Sequence, residues 1–449
     1  MIPESWRRGE VAVVGLGKSG VAATRLLARQ GVRVYASDAA QRPCGREVAE
    51  ELAASPGVTL DFGRHDLARI GRAAGLVLSP GVPPDAPPVV AARGAGVEIV
   101  SELDLGFRAL SGVRVIAVTG TNGKTTTTAL VAHLLRAAGL RAAEAGNIGR
   151  PLCDIAVSGE RYQWLAVEVS SFQLHDSPHF APEIGVLTNL APDHLDRYPS
   201  VDAYYADKRL LFRNARDEDV WVLNADDAAV LQLAAGAKGA RVRFSLRGPA
   251  EGWYEASAGR LLLGGTELVR REELRLLGDH NVANALAAAL AVHEAGVAPG
   301  AIAEGLRSFR ALPHRLEPVR EVNGVLWIND SKATNVASTL VAIEAMQRPF
   351  VLLLGGRHKG EPYTRLAPSL RDRCRLVVAF GEAGPLIERD LAGAVPLERG
   401  ATFEDVVARA RRAARPGDTV LLSPACSSYD MFKNYEERGA AFRRLVEAL

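Results

Sequence analysis

Several hallmarks of other protein classes are missing from this chain of 449 residues. It has only four cysteines and no C-x-x-C pair, so neither a zinc ribbon nor a disulfide framework is indicated, and a reducing cytoplasm fits best. The formal net charge of +2 is too small for the basic face that nucleic-acid binding requires. No run approaches the ~18 apolar residues of a membrane span, so we expect an unexported cytoplasmic protein without membrane or nucleic-acid partners.

The chain is instead rich in short β-branched runs that end in glycine and lead into Ala/Leu-rich stretches. This alternation predicts α/β domains with parallel sheets and ligand sites at the carboxyl ends of the strands. The pattern starts three times, which predicts three domains over residues 1–103, 104–311 and 312–449. We expect a Rossmann-like first domain, a central P-loop ATPase-like parallel sheet and a Rossmann-like third domain.

The first unit carries Gly15-Leu-Gly17-Lys-Ser-Gly20 between a strand and a helix, with Asp38 after the second strand. Such glycines let a diphosphate approach a helix N-terminus closely, as in dinucleotide-binding folds. The motif alone leaves open which diphosphate binds, or whether the turn binds any ligand.

The second unit carries GTNGKT at 120–125, again between a strand and a helix. Backbone amides of such a loop cradle phosphates, Lys124 can reach the β- and γ-phosphates, and the Thr125 hydroxyl can ligate Mg²⁺. The loop is shorter than the usual G-x-x-x-x-G-K-[ST] signature.

Further polar residues of this unit follow apolar strands. Glu168 ends LAVE and His194 follows VLTNLAPD, from where both could reach a Mg²⁺ ion near the loop. Asn147 and Lys208 belong to the same domain. Alone, His194 reads as a loop histidine and Lys208 as a solvated helical lysine, although the chain has only seven lysines among its 54 basic residues.

The third unit places Arg315, Asp330, Lys332 and Lys359 in turns near strand ends, together with SPACSSYDMFKNYEERG near the C-terminus. Several cations in such loops predict an anion site. The alternative is that these loops are simply exposed turns.

With these motifs the sequence resembles the Mur ligase family of ATP-dependent amide ligases, over essentially its whole length. GTNGKT is the short phosphate loop of that family. The segments EVSSFQL (168–174), DHLDRYP (193–199), NDSKATN (329–335) and LSPACSSYDMFKNYEERG (422–439) are similar to those of members that add D-glutamate to UDP-N-acetylmuramoyl-L-alanine in peptidoglycan synthesis. Segments typical of members that add a diamino acid, L-alanine or folate-linked glutamate are not matched.

The resemblance implies a set of site residues in each domain. For the UDP substrate it implies Gly15, Leu16, Gly17, Lys18, Ser19, Gly20, Asp38, Ser79, Pro80, Gly81 and Asn147. For ATP it implies Gly120, Thr121, Asn122, Gly123, Lys124, Thr125, Thr126, Asn281, Asn284, Arg315 and Asp330. For D-glutamate it implies Lys332, Thr334, Lys359, Ser428 and the backbone at Tyr435. Tyr429 and Tyr435 stand where other members carry Leu and Phe, which puts a side-chain role there in doubt.

The resemblance also implies a mechanism, in which the substrate carboxylate attacks the γ-phosphate of ATP and D-glutamate then attacks the resulting acyl phosphate. Lys124, Glu168, His194 and Lys208 are the implied catalytic residues. Two Mg²⁺ ions are expected, with Thr125, Glu168, His194 and a carbamylated Lys208 as ligands. We expect a monomer whose partners are its small-molecule substrates.

Three other functions remain to be weighed. A nicotinamide-dependent oxidoreductase would rest on the glycine turn and Asp38 alone and would leave the phosphate loop unused. A P-loop switch or nucleic-acid motor is disfavoured by the near-neutral charge and by the lack of an aromatic-basic strip. A folylpolyglutamate-type ligase would share the chemistry and differ in the acceptor.

Overall fold

The computed structural model describes residues 2–194 and 197–449. This part of the chain forms three β-sheets and two compact units. One unit contains the chain up to Arg271 together with Ala283–Ser308, and the other contains Glu272–Val282 and Phe309–Leu449. None of the described helices is long and apolar enough to cross a membrane.

The N-terminal region is a parallel sheet of five strands, counted over residues 2–109, in the order β3-β2-β1-β4-β5. Its strands are β1 (Glu10–Val14), β2 (Arg33–Asp38), β3 (Val58–Phe62), β4 (Gly75–Leu78) and β5 (Ile99–Ser101). Its helices are α1 (Glu4–Arg8), α2 (Lys18–Arg29), α3 (Arg46–Ala54), α4 (Leu67–Ile70), α5 (Pro87–Gly94) and α6 (Glu102–Ala109).

Strand β1 is buried on both faces. Val11 and Val13 pack in the core formed with α2, whereas Ala12 and Val14 pack in a second core formed with α5. Period-two alternation is therefore lost, and the strand reads as a continuous apolar run. Such a strand carries polar groups only where it ends, which places the glycine turn at the sheet's carboxyl edge.

The central region is a mixed sheet, with nine described strands in the order β14-β13-β12-β11-β10-β9-β6-β8-β7. The strands are β6 (Arg114–Thr119), β7 (Ala142–Gly146), β8 (Trp164–Glu168), β9 (Ile184–Leu187), β10 (Val220–Asn224), β11 (Ala240–Ser245), β12 (Gly252–Glu255), β13 (Arg260–Leu263) and β14 (Thr266–Arg270). The helices are α7 (Lys124–Ala137), α8 (Leu152–Ser158), α9 (Ser171–His175), α10 (Val201–Arg209), α11 (Ala228–Leu233), α12 (Asp279–Glu294) and α13 (Pro299–Ser308). Strands β12 to β14 pair antiparallel at one edge.

The C-terminal region is a sheet of six strands within the described residues, in the order β15-β16-β20-β17-β18-β19, with β15 antiparallel to β16. The strands are β15 (Glu317–Val322), β16 (Val325–Asn329), β17 (Phe350–Gly355), β18 (Cys374–Phe380), β19 (Leu397–Arg399) and β20 (Thr419–Leu422). The helices are α14 (Val336–Glu344), α15 (Ala367–Leu370), α16 (Gly384–Leu391), α17 (Phe403–Ala413) and α18 (Tyr435–Glu447).

The predicted three-domain α/β architecture is confirmed, because each region is built on a mainly parallel sheet. The antiparallel additions, β12 to β14 and β15, were not anticipated from the sequence. Helix α12 is divided between the two compact units. Its residues up to Val282 belong to the unit with the C-terminal region, and those from Ala283 belong to the other unit. The domain bounds 1–103, 104–311 and 312–449 stay a prediction.

A close contact between β4 and the first helix gives a stability prediction. A Cβ added at Gly75 would lie 2.3 Å from the buried ring of Trp6. Gly75→Ala should therefore lower the free energy of unfolding by about 1–3 kcal/mol, since overpacking forces the core to shift. Denaturant unfolding measures this change.

Gly94→Ala is the matched control, because a Cβ at that helical position meets nothing within 4 Å. It should leave stability unchanged or slightly higher, since alanine is the better helix former. Equal effects of the two substitutions would contradict the contact.

Candidate active site

The loop between β6 and α7 is held open by backbone conformations that suit glycine. Gly120 has φ 138° and Gly123 has φ 81°, a left-handed conformation at the N-cap of α7. A Cβ would lie 2.0 Å from the Thr188 hydroxyl at the first position and 2.3 Å from the Asn284 amide oxygen at the second. Both glycines are therefore required by conformation and by space.

Residues that follow β9 brace this loop. The backbone amides of Thr121 and Asn122 donate to the backbone and side-chain oxygens of Asn189, each at 2.9 Å. The Thr188 hydroxyl donates to the Asn122 carbonyl at 2.6 Å. These bonds fix the loop before any ligand binds. Sequence reasoning missed Thr188 and Asn189, although two polar residues after an apolar strand were a usable signal.

Two lysines converge on one carbonyl of the loop. Lys124 Nζ donates to the Gly120 oxygen at 3.0 Å and to the Thr121 oxygen at 2.8 Å, and Lys208 Nζ donates to the same Gly120 oxygen at 2.7 Å. The structure therefore brings together two predicted catalytic residues that are 84 positions apart in the chain.

Lys208 is unusual because it is buried, with 1% of its surface exposed. Burial lowers its pKa well below the usual value, and the charge of Lys124 lowers it further. Its Nζ also lies 4.7 Å from the centre of the Tyr204 ring. The interior thus favours a neutral, nucleophilic amine at this position, which an ordinary solvated lysine would not offer.

Glu168 ends β8 beside the phosphate-loop strand and is also buried. Its Oε1 accepts a hydrogen bond from Asn147 Nδ2 at 2.7 Å, whereas Oε2 has no hydrogen-bond partner within the described structure. A buried carboxylate oxygen without a donor is costly, and a cation would satisfy it. The residue therefore fits its predicted role as a Mg²⁺ ligand.

His194 lies after β9 in a left-handed backbone conformation, with φ 53°. Its ring packs at 5.1 Å from the ring of Phe172 and at 6.0 Å from that of Tyr204, so it belongs to the aromatic cluster that also contacts Lys208. Leu195 and Asp196 of the DHLDRYP motif lie outside the described residues. The described chain contains no cluster of three or more His, Cys, Asp or Glu side chains with metal-ligand geometry.

Further predicted ATP residues of the central region lie at the start of α7. Thr125 and Thr126 are half-buried in its first turn, and Thr127 donates to Asn284 Oδ1 at 3.2 Å. Asn284 thus supports the loop helix. In the compact unit that contains the C-terminal region, Asn281 donates from Nδ2 to the Leu277 oxygen at 2.8 Å. Their contact with adenine stays a prediction.

A cavity of about 610 Å³ opens at the carboxyl edge of the N-terminal sheet. Among the predicted UDP-site residues, those lining it are Gly15, Gly17, Lys18, Ser19, Asp38, Ser79, Pro80 and Gly81. Leu16 lines an adjoining cavity of about 370 Å³. Gly20 packs against the turn, where a Cβ would lie 1.8 Å from the Gly15 oxygen. Asn147 lines neither cavity and contacts Glu168 instead.

Asp38 serves the shape of the turn. Its Oδ2 accepts a bond from the Leu16 amide at 2.6 Å and its Oδ1 accepts one from the Ala40 amide at 2.8 Å. The carboxylate therefore ties the end of β2 to the glycine turn. The Ser79 hydroxyl donates to the Gly15 oxygen at 2.6 Å and ties the turn to the end of β4 as well.

The predicted D-glutamate residues all lie in the C-terminal region. Lys359 Nζ donates to the Thr334 hydroxyl at 3.2 Å, and Lys332 Nζ lies 3.9 Å from the centre of the Tyr435 ring. The Tyr435 carbonyl accepts a bond from the Ser331 hydroxyl at 2.9 Å. Ser428 is buried in the loop before α18. The two lysines thus contact two other members of the predicted set, and the anion site itself stays a prediction.

Asp330 and Arg315 flank the same loops. Asp330 accepts bonds from the Ser423 hydroxyl at 2.9 Å and from the Leu316 amide at 3.1 Å, and burial raises its pKa to about 7. Arg315 sits between His314 and Leu316, which have φ 64° and 42°. Positive φ is rare outside glycine and is retained where a backbone must aim particular groups.

Arg438 organises these loops and was missed. It is fully buried in α18, and its guanidinium donates to the carbonyls of Ser331 and Cys426 at 2.9 and 3.1 Å. It also donates to the Ser331 hydroxyl at 2.9 Å. Nothing in the sequence separated it from the many surface arginines.

Together these features define a three-domain α/β enzyme with a phosphate-binding loop and a buried carboxylate beside it. Family models match most of the chain: a MurD-like N-terminal domain of Mur ligases over residues 9–101, the Mur ligase middle domain over 118–292 and the Mur ligase glutamate ligase domain over 314–426. The chain belongs to the Mur ligase family.

Curated relatives match at full length. A UDP-N-acetylmuramoylalanine--D-glutamate ligase of Myxococcus xanthus is 44% identical over 448 residues, covering 98% of both chains. One of Salinibacter ruber is 44% identical over 467 residues, covering 100% of both chains.

Solved structures share the fold at low identity. The MurC ligase of Thermotoga maritima has a TM-score of 0.63 at 22% identity, covering 98% of this chain and 99% of the other. The MurF ligase of the same organism, in complex with ADP, has a TM-score of 0.62 at 17% identity, covering 98% and 95%.

The brace on the phosphate loop gives a testable prediction. Thr188→Val keeps the shape of the side chain and removes the donor to the Asn122 carbonyl. We expect the KM for ATP to rise about five- to tenfold, because a buried loop loses a hydrogen bond and its preset shape. Steady-state kinetics with varied ATP measures this.

Thr188→Ser is the matched control, since it keeps the hydroxyl and should stay within about twofold of the parent enzyme. If the valine and serine variants had the same KM for ATP, the hydrogen bond from Thr188 to the loop would have no effect on ATP binding, which would contradict the prediction.

Proposed function

We propose that this enzyme joins the amine of D-glutamate to the carboxylate of UDP-N-acetylmuramoyl-L-alanine at the expense of ATP, in peptidoglycan precursor synthesis. The observation that carries the proposal is the pair of lysines and the buried Glu168 at one edge of the central sheet. Full-length relatives of 44% identity bear the corresponding name. The reaction predicted from the sequence is thereby confirmed.

The chemistry explains why cations gather at the loop. A carboxylate and a triphosphate repel each other, so attack on the γ-phosphate needs charge neutralisation and in-line positioning. Attack forms the bond between the carboxylate oxygen and phosphorus and releases ADP. The D-glutamate nitrogen then bonds to the acyl carbon, and inorganic phosphate and a proton leave.

Lys124 supplies positive charge on the phosphate side. Its ammonium is already anchored on the carbonyls of Gly120 and Thr121, so it is held at the loop before ATP arrives. The loop amides and the N-terminus of α7 add further donors for the β- and γ-phosphates.

Mg²⁺ is part of the proposal, and the donors fit it. Thr125 and Glu168 would hold one ion, whose chemistry is to neutralise the phosphates, and the open Glu168 Oε2 supports this assignment. His194 and Lys208 would hold a second, if the Lys208 amine adds to CO₂ and releases a proton to give a carbamate. The neutral amine that burial favours is the form that can do so.

The other two sheets would hold the other substrates. The cavity at Gly15 and Ser79 would take the uridine diphosphate, since amides and helix N-termini suit a diphosphate. Lys332 and Lys359 would pair with the carboxylates of D-glutamate. Small molecules are thus the expected partners, and we propose a cytoplasmic monomer.

The rival functions explain fewer of these features. An oxidoreductase would leave the lysine pair and Glu168 without a role. A nucleic-acid motor would need an aromatic-basic strip, which the sequence does not show. A folylpolyglutamate-type ligase would share the loop and differ in its acceptor, which an acceptor comparison resolves directly.

The first experiment measures phosphate release from Mg·ATP with UDP-N-acetylmuramoyl-L-alanine and one of three amines: D-glutamate, L-glutamate or a diamino acid. We expect release with D-glutamate alone. Release with another amine would contradict the proposed acceptor, and release with none would contradict the proposed acyl substrate.

Lys208→Ala tests the carbamate. We expect activity to fall at least about a hundredfold, because the variant loses the group that is proposed to carry negative charge beside the phosphates. Short carboxylic acids should restore part of the activity, and rescue is measured against acid concentration.

Lys238→Ala, at an exposed loop, is the control and should be neither impaired nor rescued. Full activity of Lys208→Ala would rule out the carbamate. Loss without rescue by any short acid would also count against it, provided that the variant unfolds at the parent temperature.

A further inference from the structure

His65 lines the same cavity as the glycine turn, in a loop that is tied back to the end of β2. The Gly63 amide donates to the Asp38 carbonyl at 2.8 Å, and the Asp66 amide donates to the Tyr35 hydroxyl at 2.8 Å. These bonds lie on either side of His65 in the chain. The ring is therefore presented to the cavity by a braced segment.

One ring nitrogen of His65 is committed to the protein. Nδ1 lies 2.9 Å from the hydroxyl of Ser37, a fully buried residue of β2. Over residues 2–194 and 197–449, the ring makes no other hydrogen bond and no ion pair, which leaves Nε2 for a ligand. Burial lowers the pKa of His65, so the ring is a neutral polar group at pH 7.

The sheet order indicates which part of a nucleotide reaches His65. The glycine turn follows β1, and β2 and β3 lie beside it in that order, about 4.8 Å apart per strand. On the other side of β1, Ser79 is bonded to Gly15, and Arg197 of the central region donates to the carbonyls of Pro80 and Val82. The β4 side therefore faces the central region, which carries the phosphate loop.

A diphosphate bound at the turn has two substituents. The acyl end of the proposed substrate must reach the phosphate loop, so it leaves on the β4 side. The nucleoside must then run along the sheet edge over β2 towards β3, where His65 stands. A neutral residue with a free ring nitrogen suits a nucleobase better than it suits a phosphate.

We propose that His65 contacts the uracil base of the substrate through Nε2 and is the residue at the β3 end of the site that selects for a base of this shape. The assignment rests on the proposed function, since it needs a uridine nucleotide in this cavity. Uracil offers two carbonyl acceptors and one N–H donor on its edge, so it can pair with either neutral tautomer of the ring.

The test is a thermodynamic cycle measured by calorimetry with UDP and with ribose 5-diphosphate, which lacks the base. His65→Ala should weaken UDP binding about three- to tenfold, the loss of one neutral hydrogen bond, and should leave ribose 5-diphosphate binding unchanged. In the ligation assay, KM for the UDP substrate should rise in proportion while kcat stays constant.

His65→Asn keeps a polar side chain and should fold even if the alanine variant does not. It is expected to lose UDP affinity selectively as well, because the shorter amide cannot reach the base. His293→Ala, at an exposed position of α12, is the control and should bind both ligands as the parent does.

Equal weakening of both ligands would overturn the proposal, because it would show that His65 only shapes the loop or the diphosphate site. Unchanged UDP binding in both His65 variants would overturn it too. Failure of the parent enzyme to bind UDP would instead overturn the proposed function, so the two failures are distinguishable.

Discussion

The carbonyl of Gly120 is the point on which the central site depends. It accepts hydrogen bonds from Lys124 and Lys208, so one oxygen sets the position of two amines and couples the phosphate loop to α10. Burial lowers the pKa of Lys208, and the nearby charge of Lys124 lowers it further. Lys208 therefore favours the neutral amine, whereas Lys124 is the less buried of the two side chains.

The glycine turn of the N-terminal sheet is held in shape by different groups. It carries no buried amine; the turn is shaped by the Asp38 carboxylate and the Ser79 hydroxyl, which bond to its backbone from both neighbouring strands. Such a turn offers its remaining amides to a diphosphate without a fixed cation. Under the proposed function, a diphosphate that only needs to be held would require less charge than a γ-phosphate that must react, in keeping with this difference.

The fold and both loops could be predicted from the sequence because glycine at a strand end has few alternative explanations. The role of Asp38 could not be derived from its spacing, since a carboxylate that binds a ribose and one that pins a turn occupy the same position. The burial of Arg438 could not be predicted for another reason. In an amphipathic helix of an arginine-rich chain, the sequence pattern does not distinguish a buried guanidinium from a solvated one. His65 is a lone histidine in a loop, so its sequence context did not indicate that it lines a cavity.

In the C-terminal region, a buried cation organises the loops that carry the predicted D-glutamate residues. Arg438 is satisfied by neutral carbonyl and hydroxyl oxygens of the loops around it, and desolvation lowers its pKa only to about 10, so it stays charged. These hydrogen bonds fix the shape of the loops, and the nearby carboxylate of Asp430 favours the charged guanidinium. Under the proposed function, Lys332 and Lys359 on those loops would supply the cations that pair with the two carboxylates of the amino acid, while Arg438 holds the loops that carry them.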